Sequence, residues 1–99
     1  MKAIIDKREI LRLLQENRQE FSERYTVRRI GIFGSVVRDK ADSKSDVDII
    51  VELKEPTFDH YMDLKFRLEK ILDRPVDLVL ADTLKPRLKP IIEREAVYA

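Results

Sequence analysis

The sequence predicts an α/β domain in which a small sheet is covered by helices. Three observations carry this. Some segments repeat apolar residues at helical spacing, while others are short runs of β-branched and apolar residues. The two kinds of segment alternate along the chain. A chain of 99 residues, 43% hydrophobic, has room for one core and so one domain, read as residues 1–99.

From about Lys7 to Phe21, Ile10, Leu13, Leu14 and Phe21 fall on a helical period with charges between them, which predicts one amphipathic helix. Val27 to Phe33 is short and rich in β-branched and apolar residues (Val27, Ile30, Ile32, Phe33) and is closed by Gly34, which predicts a strand. Ser35 to about Lys40 is expected to open a short helix. Val47 to Leu53 carries Val47, Ile49, Ile50, Val51 and Leu53, a second and central strand. Thr57 suits an N-cap for a helix with Tyr61, Leu64, Leu68, Ile71 and Leu72 inward, and Arg74-Pro75 breaks it. Val76 to Leu80 is a third strand. Asp82 or Thr83 is expected to cap a last helix with Leu84, Leu88, Ile91 and Ile92 inward. Pro90 would kink that helix or start a second one. Ala96-Val97-Tyr98 reads as a short edge strand. The expected order is α-β-α-β-α-β-α.

Composition narrows the function. There are no cysteines, which excludes a disulfide framework, a Cys-based zinc site and a thiol nucleophile. The 20 Lys and Arg nearly balance the 19 Asp and Glu, so nucleic acid held by bulk charge is not expected as the primary partner. The apolar runs are too short to span a membrane, and the N-terminus is charged too early for a signal peptide. A soluble, cytoplasmic domain is the expectation. Only two glycines occur, Gly31 and Gly34.

The chemistry concentrates between Gly34 and Asp77. Gly34 ends a strand and permits close backbone approach. Ser35 then stands where a helix would begin, and backbone N–H groups with a hydroxyl suit a phosphate there. A Gly-Ser pair alone is most often an ordinary turn. Asp46 and Asp48 are two apart at the start of a strand, so both project from one face while Val47 and Ile49 point the other way. Two adjacent carboxylates repel each other. A divalent cation removes that penalty, and an oxygen-only donor set suits Mg²⁺ or Mn²⁺. The bland alternative is two solvated acids at a strand end. Asp77 is the third acid, inside a run of apolar strand residues where aspartate is disfavoured. A salt bridge would explain it. If its strand lies beside that of Asp46, three carboxylates converge as in a two-metal phosphoryl-transfer site.

With these residues the chain resembles the DNA polymerase beta superfamily of nucleotidyltransferases: Gly34-Ser35, ten residues, Asp46-x-Asp48, then a strand Asp77. Gly-Ser-x-x-Arg with Ser-Asp-x-Asp in so short a chain is similar to the minimal nucleotidyltransferase (MNT) subfamily. The resemblance runs from about Ile30 to Tyr98, through the Pro56-Thr57-Phe58-Asp59 helix start and the terminal Glu95-Ala96-Val97-Tyr98. It implies a mixed sheet with flanking helices. It implies that Gly34 and Ser35 hold the β- and γ-phosphates of a nucleoside triphosphate, and that Asp46 and Asp48 bind two metal ions. Asp77 would complete the catalytic metal site and take the proton of the attacking hydroxyl. Arg38 is either a phosphate or partner contact or an ordinary surface charge. Family members often carry Arg-Gly where this chain has Arg38-Asp39, and a negative charge there would weaken nucleotide binding.

The resemblance also implies an acceptor presented by something else. In the subfamily this is commonly a HEPN ribonuclease toxin, to whose tyrosine the antitoxin transfers AMP from ATP. The expected function is thus an Mg²⁺-dependent protein adenylyltransferase antitoxin, in a hetero-oligomer or other oligomer. The alternatives are a module that neutralises its HEPN partner by binding, and a nucleotidyltransferase subunit for a small molecule or nucleic acid. His60, Tyr25, Tyr61 and Tyr98 read as packing or surface residues. Arg28-Arg29 and Lys85, Arg87 and Lys89 read as solvated charge.

Overall fold

The computed structural model describes residues 6–38 and 46–99. Helices α1 (Lys7–Glu16) and α2 (Arg18–Tyr25) precede strand β1 (Val27–Phe33), a 3₁₀ turn (Gly34–Val36) and strand β2 (Val47–Leu53). Helix α3 (Phe58–Leu72), strand β3 (Val76–Leu80), a second 3₁₀ turn (Ala81–Thr83), helix α4 (Lys89–Glu95) and strand β4 (Val97–Tyr98) follow. The sheet order is β3-β2-β1-β4. β1 is antiparallel to β2 and β4, whereas β2 and β3 are parallel, so the sheet is mixed. Parallel neighbours need a crossover, and α3 supplies it.

The main core cluster lies on one face of the sheet, and Ile50 is buried on the other. Val47, Ile49 and Val51 of β2 are fully buried, and they pack with Leu14 of α1, Phe21 of α2 and Leu64 and Leu68 of α3. Each such side chain contributes roughly 1.5–3 kcal/mol relative to exposure. Alternation then sends Asp48 to the opposite face.

α3 is the clearest case of local sequence setting structure. Thr57 Oγ1 accepts the His60 N–H at 3.1 Å and caps the helix. At the other end Asp73 turns left-handed (φ 57°) and its N–H reaches the Glu69 carbonyl at 2.8 Å. Glu69 Oε2 then accepts the Val76 N–H at 3.0 Å and Lys65 Nζ at 3.0 Å. These two donors hold the Glu69 carboxyl below its usual range. They also fix where β3 begins, and hence which residue of β3 faces Asp48. Gly31 serves β4: a Cβ there would lie 2.7 Å from the Val97 carbonyl oxygen and 2.9 Å from the Tyr98 ring. Across this gap the Arg29 guanidinium lies 4.2 Å from the Tyr98 ring centroid.

Three expectations need correction. The first helix is two helices, because Asn17 interrupts it: Asn17 Nδ2 donates to the Leu13 carbonyl at 2.8 Å, an acceptor its own backbone N–H also uses. The segment after Gly34 is a single 3₁₀ turn over the described residues, and residues 39–45 lie outside them. Residues 84–88 are not α-helical. Thr83 Oγ1 donates to the Leu80 carbonyl within the second 3₁₀ turn instead of capping a helix, and the helix forms only at Lys89 with Pro90 in its first turn, the second of the two outcomes expected of Pro90. Consequently Leu88 and Ile91 are exposed and α4 buries no residue fully. The Thr57 cap, the three longer strands and the terminal edge strand stand as expected.

Leu68→Ala removes a fully buried side chain between α3 and the sheet. The expected cost is about 2–5 kcal/mol in urea unfolding monitored by circular dichroism. A loss below 0.5 kcal/mol, by order of magnitude an exposed-site effect, would contradict this core assignment.

Candidate active site

Strand register assembles the site. Phe33 pairs with Asp48 across β1 and β2, and Asp48 pairs with Asp77 across β2 and β3. Equivalent positions on neighbouring strands project from the same face, so Asp48 and Asp77 are side by side. Asp46 lies two residues earlier on that face. Asp48 is half-buried, while Asp46 and Asp77 are exposed. The Asp48 carboxyl is pushed above its ordinary value, first by burial, then by the negative charges of Asp77 and Asp46. Arg38 works in the opposite direction.

The salt-bridge explanation for Asp77 does not hold, since among the described residues no Lys or Arg forms an ion pair with it, or with Asp46 or Asp48. Asp77 is exposed rather than buried, and of the pair at the start of β2 Asp46 is solvated while Asp48 is not fully so. The arrangement is a half-buried carboxylate with two like-charged neighbours and, among the described residues, no direct cationic partner. That is what a divalent cation with oxygen ligands would relieve. The three are not gathered into a closed cage, however. Among the described residues no three Asp, Glu or His side chains are clustered tightly enough to hold an ion as they stand.

Gly34 is bound into the same site. Its φ of +76° is in the left-handed region, and a Cβ would lie 2.2 Å from Asp48 Oδ2. The bare backbone therefore rests directly against the Asp48 carboxylate, and any side chain here would be strained by the positive φ and would displace that carboxylate. Ser35 is half-buried at the centre of the 3₁₀ turn that follows. Val37 and Arg38 both donate their N–H to the Gly34 carbonyl, at 3.1 and 3.2 Å, which closes the turn.

Arg38 projects to the same end of the sheet, where its guanidinium pairs with Glu95 of α4. Glu95 also accepts the Gly34 N–H at 2.9 Å. The sequence motif that includes Glu95, the terminal Glu95-Ala96-Val97-Tyr98, assigns it no role of its own. One signal was available: an acid in the last turn of a helix faces the negative end of the helix dipole, so it needs compensation from elsewhere. Asp39 and Ser45 lie outside the described residues. His60 is satisfied, its Nδ1 lying 2.7 Å from the Glu55 carbonyl. Tyr61 donates to the Leu78 carbonyl at 2.6 Å. Arg28 is exposed, as are Lys85 and Arg87, in line with solvated charge.

A mixed sheet with paired aspartates at one strand start, a third on the parallel neighbour and a Gly-Ser turn against them defines a phosphoryl-transfer class of fold. The chain matches the nucleotidyltransferase domain over residues 14–99 and belongs to that family. It is 40% identical over 97 residues to the protein adenylyltransferase MntA of Thermococcus cleftensis, covering 97% of this chain and 98% of that protein. A solved structure assigned as a minimal nucleotidyltransferase superposes with a TM-score of 0.79 at 36% identity, covering 94% of this chain and 95% of that one. The fold also matches a toxin-antitoxin crystal structure with AMP-PNP, with a TM-score of 0.68 at 23% identity over 95% of this chain and 72% of that one. It matches as well an MNT antitoxin in complex with a tri-AMPylated Shewanella oneidensis HEPN toxin, with a TM-score of 0.58 at 22% identity over 93% and 66% of the two chains. Among the described residues no helix is long and apolar enough to cross a membrane.

Gly34→Ala combines left-handed strain with a clash on Asp48. It is expected to lower stability by about 1–3 kcal/mol in chemical denaturation. A neutral substitution would contradict the contact. Asp48→Asn should act in the other direction. Because the folded-state pKa is raised, the folded chain binds this proton more readily than the unfolded chain. The carboxylate therefore costs stability above the folded pKa, and that cost vanishes below the unfolded value. With solvent screening of a half-exposed group, a gain of roughly 0.5 kcal/mol, or about 2–4 °C in Tm, is expected at pH 7. An unchanged or lower Tm would show that Asp48 is not under repulsion.

Proposed function

We propose that this chain is an Mg²⁺-dependent adenylyltransferase that moves AMP from ATP to a tyrosine of a HEPN-type toxin, and so acts as an antitoxin. The observation that supports this best is the alignment of Asp48 with Asp77 and Asp46 on one sheet face, directly under the Gly34 turn. The 40% identity to a protein adenylyltransferase along nearly the whole chain supports the same reading.

In this reading Asp46, Asp48 and Asp77 hold the divalent cations, Mg²⁺ or Mn²⁺. Bound there, these supply charge neutralisation for the triphosphate and a more acidic attacking hydroxyl. Ser35, with those backbone N–H groups of the turn that Glu95 and the Gly34 carbonyl do not engage, binds the β- and γ-phosphates. Arg38 adds positive charge at the same end. Asp77, exposed beside Asp48, accepts the proton of the tyrosine hydroxyl. The hydroxyl oxygen forms a bond to the α-phosphorus, the α–β phosphoanhydride bond breaks, and pyrophosphate leaves with the electron pair.

The test is transfer of labelled AMP from α-³²P-ATP to the HEPN partner, wild type against Asp46→Asn with Asp48→Asn. The expected result is a loss of at least roughly 100-fold, with the label on a tyrosine. Equal labelling by the two proteins would refute the proposal. A variant that no longer labels the toxin yet still relieves its growth arrest would place neutralisation in binding rather than transfer.

A further inference from the structure

We propose that Glu95 is a positioning residue of the nucleotide site, locking the Gly34 turn and the Arg38 guanidinium into one unit on which the triphosphate docks. This deepens the nucleotidyl-transfer reading and rests on it.

Glu95 is the last residue of α4, 61 positions from Gly34 and 57 from Arg38. Its two carboxylate oxygens divide their partners. Oε1 accepts the Gly34 N–H at 2.9 Å, while Oε2 accepts from an Arg38 terminal nitrogen. One side chain thus ties the first and the fifth residue of Gly34-Ser35-Val36-Val37-Arg38 to a third element.

The placement is unfavourable by local rules. A carboxylate in the last turn of a helix faces the negative end of its dipole, and a second anion near Asp48 adds to the repulsion there. Glu95 indeed raises the Asp48 carboxyl, although less than burial, Asp77 and Asp46 do. Such a residue is tolerated only if its contacts compensate, and these are the N–H that opens the Gly-Ser turn and the guanidinium of Arg38, two residues beyond it. The Gly34 N–H and Arg38 hold its carboxyl below the ordinary range.

The division of donors also leaves the site usable. A guanidinium has five N–H donors in a fixed plane. Engaging one nitrogen orients that plane and leaves the rest for phosphate oxygens. Saturating the Gly34 N–H holds its left-handed backbone against Asp48 and keeps Ser35 in place. Glu95 itself needs no contact with substrate. It acts through Gly34 and Arg38.

The test uses the full chain as wild type, Glu95→Gln and Glu95→Ala, with and without Arg38→Ala. Affinity for Mg²⁺·AMP-PNP is measured by calorimetry. The Gly34 amide is followed in a ¹⁵N spectrum, where only two glycine signals, Gly31 and Gly34, occur. Glu95→Ala is expected to move the Gly34 amide proton upfield and weaken the analogue about tenfold. Glu95→Gln keeps an acceptor for Gly34 and loses the ion pair, so it should fall between. It also serves as the isosteric control for folding. In the Arg38→Ala background the effect of Glu95→Ala should shrink, because one of its two targets is gone.

Unchanged affinity in both Glu95 variants would overturn the proposal. So would tighter binding, which would make Glu95 a competitor of the triphosphate, or effects of Glu95 and Arg38 that multiply independently. A wild type that binds the analogue but transfers no AMP would defeat the transfer reading while leaving the role of Glu95 intact. A wild type that binds no nucleotide would defeat both.

Discussion

The structure depends on one constraint, the register that aligns Phe33, Asp48 and Asp77 across β1, β2 and β3. A slip of one residue in β2 would turn Val47, Ile49 and Val51 out of the core and Asp48 into it. The fully buried apolar residues therefore hold the carboxylates in place. Glu69 reinforces this by engaging the first N–H of β3, so the crossover helix and its strand meet at a defined point. Stability and site geometry are set by the same alternation: the odd positions of β2 build the main core cluster, and on the other face Ile50 is buried while Asp48 carries the charge.

The site is a place where the fold accepts an unfavourable local arrangement. Asp48 is half-buried beside two like charges, Gly34 takes a left-handed conformation, and Glu95 ends a helix with the disfavoured sign. Each is compensated by the surrounding structure: the core fixes the strands, the missing Cβ of Gly34 admits the Asp48 carboxylate, and Gly34 and Arg38 satisfy Glu95. Three such features within one corner of the sheet distinguish it from the rest of the surface, where charges pair along helices, as Arg12 does with Glu9 and Glu16.

Much of this was legible in the sequence. Period-two spacing placed Asp46 and Asp48 on one face, and β-branched runs marked all three longer strands. Thr57 announced α3, because a capping hydroxyl acts within three residues. What stayed hidden depends on contacts that sequence spacing does not encode. Asn17 breaks the first helix by a side-chain bond to Leu13, although the apolar period continues through it to Phe21. Pro86 and Pro90 each lack an N–H, and the α-helix is delayed to Lys89, leaving Leu88 and Ile91 outside the core. Glu95 joins the site only because α4 and β4 return to the edge of β1, where Gly31 leaves room for them. Spacing alone leaves Arg38 as either a phosphate or partner contact or a surface charge, and its ion pair to Glu95 ties it to the Gly34 turn.

The central claim is that Asp46, Asp48, Asp77 and the Gly34 turn form a single cation and nucleotide site. Paramagnetic broadening of the ¹⁵N spectrum by Mn²⁺ in the presence of ATP tests it most directly, because broadening falls off steeply with distance from the ion. Selective loss of the amide signals of Gly34, Ser35, Asp48 and Asp77 is expected, with the acidic surface of α1 around Glu9 and Glu16 unaffected. Broadening centred on α1, or spread evenly over the exposed acids, would contradict it.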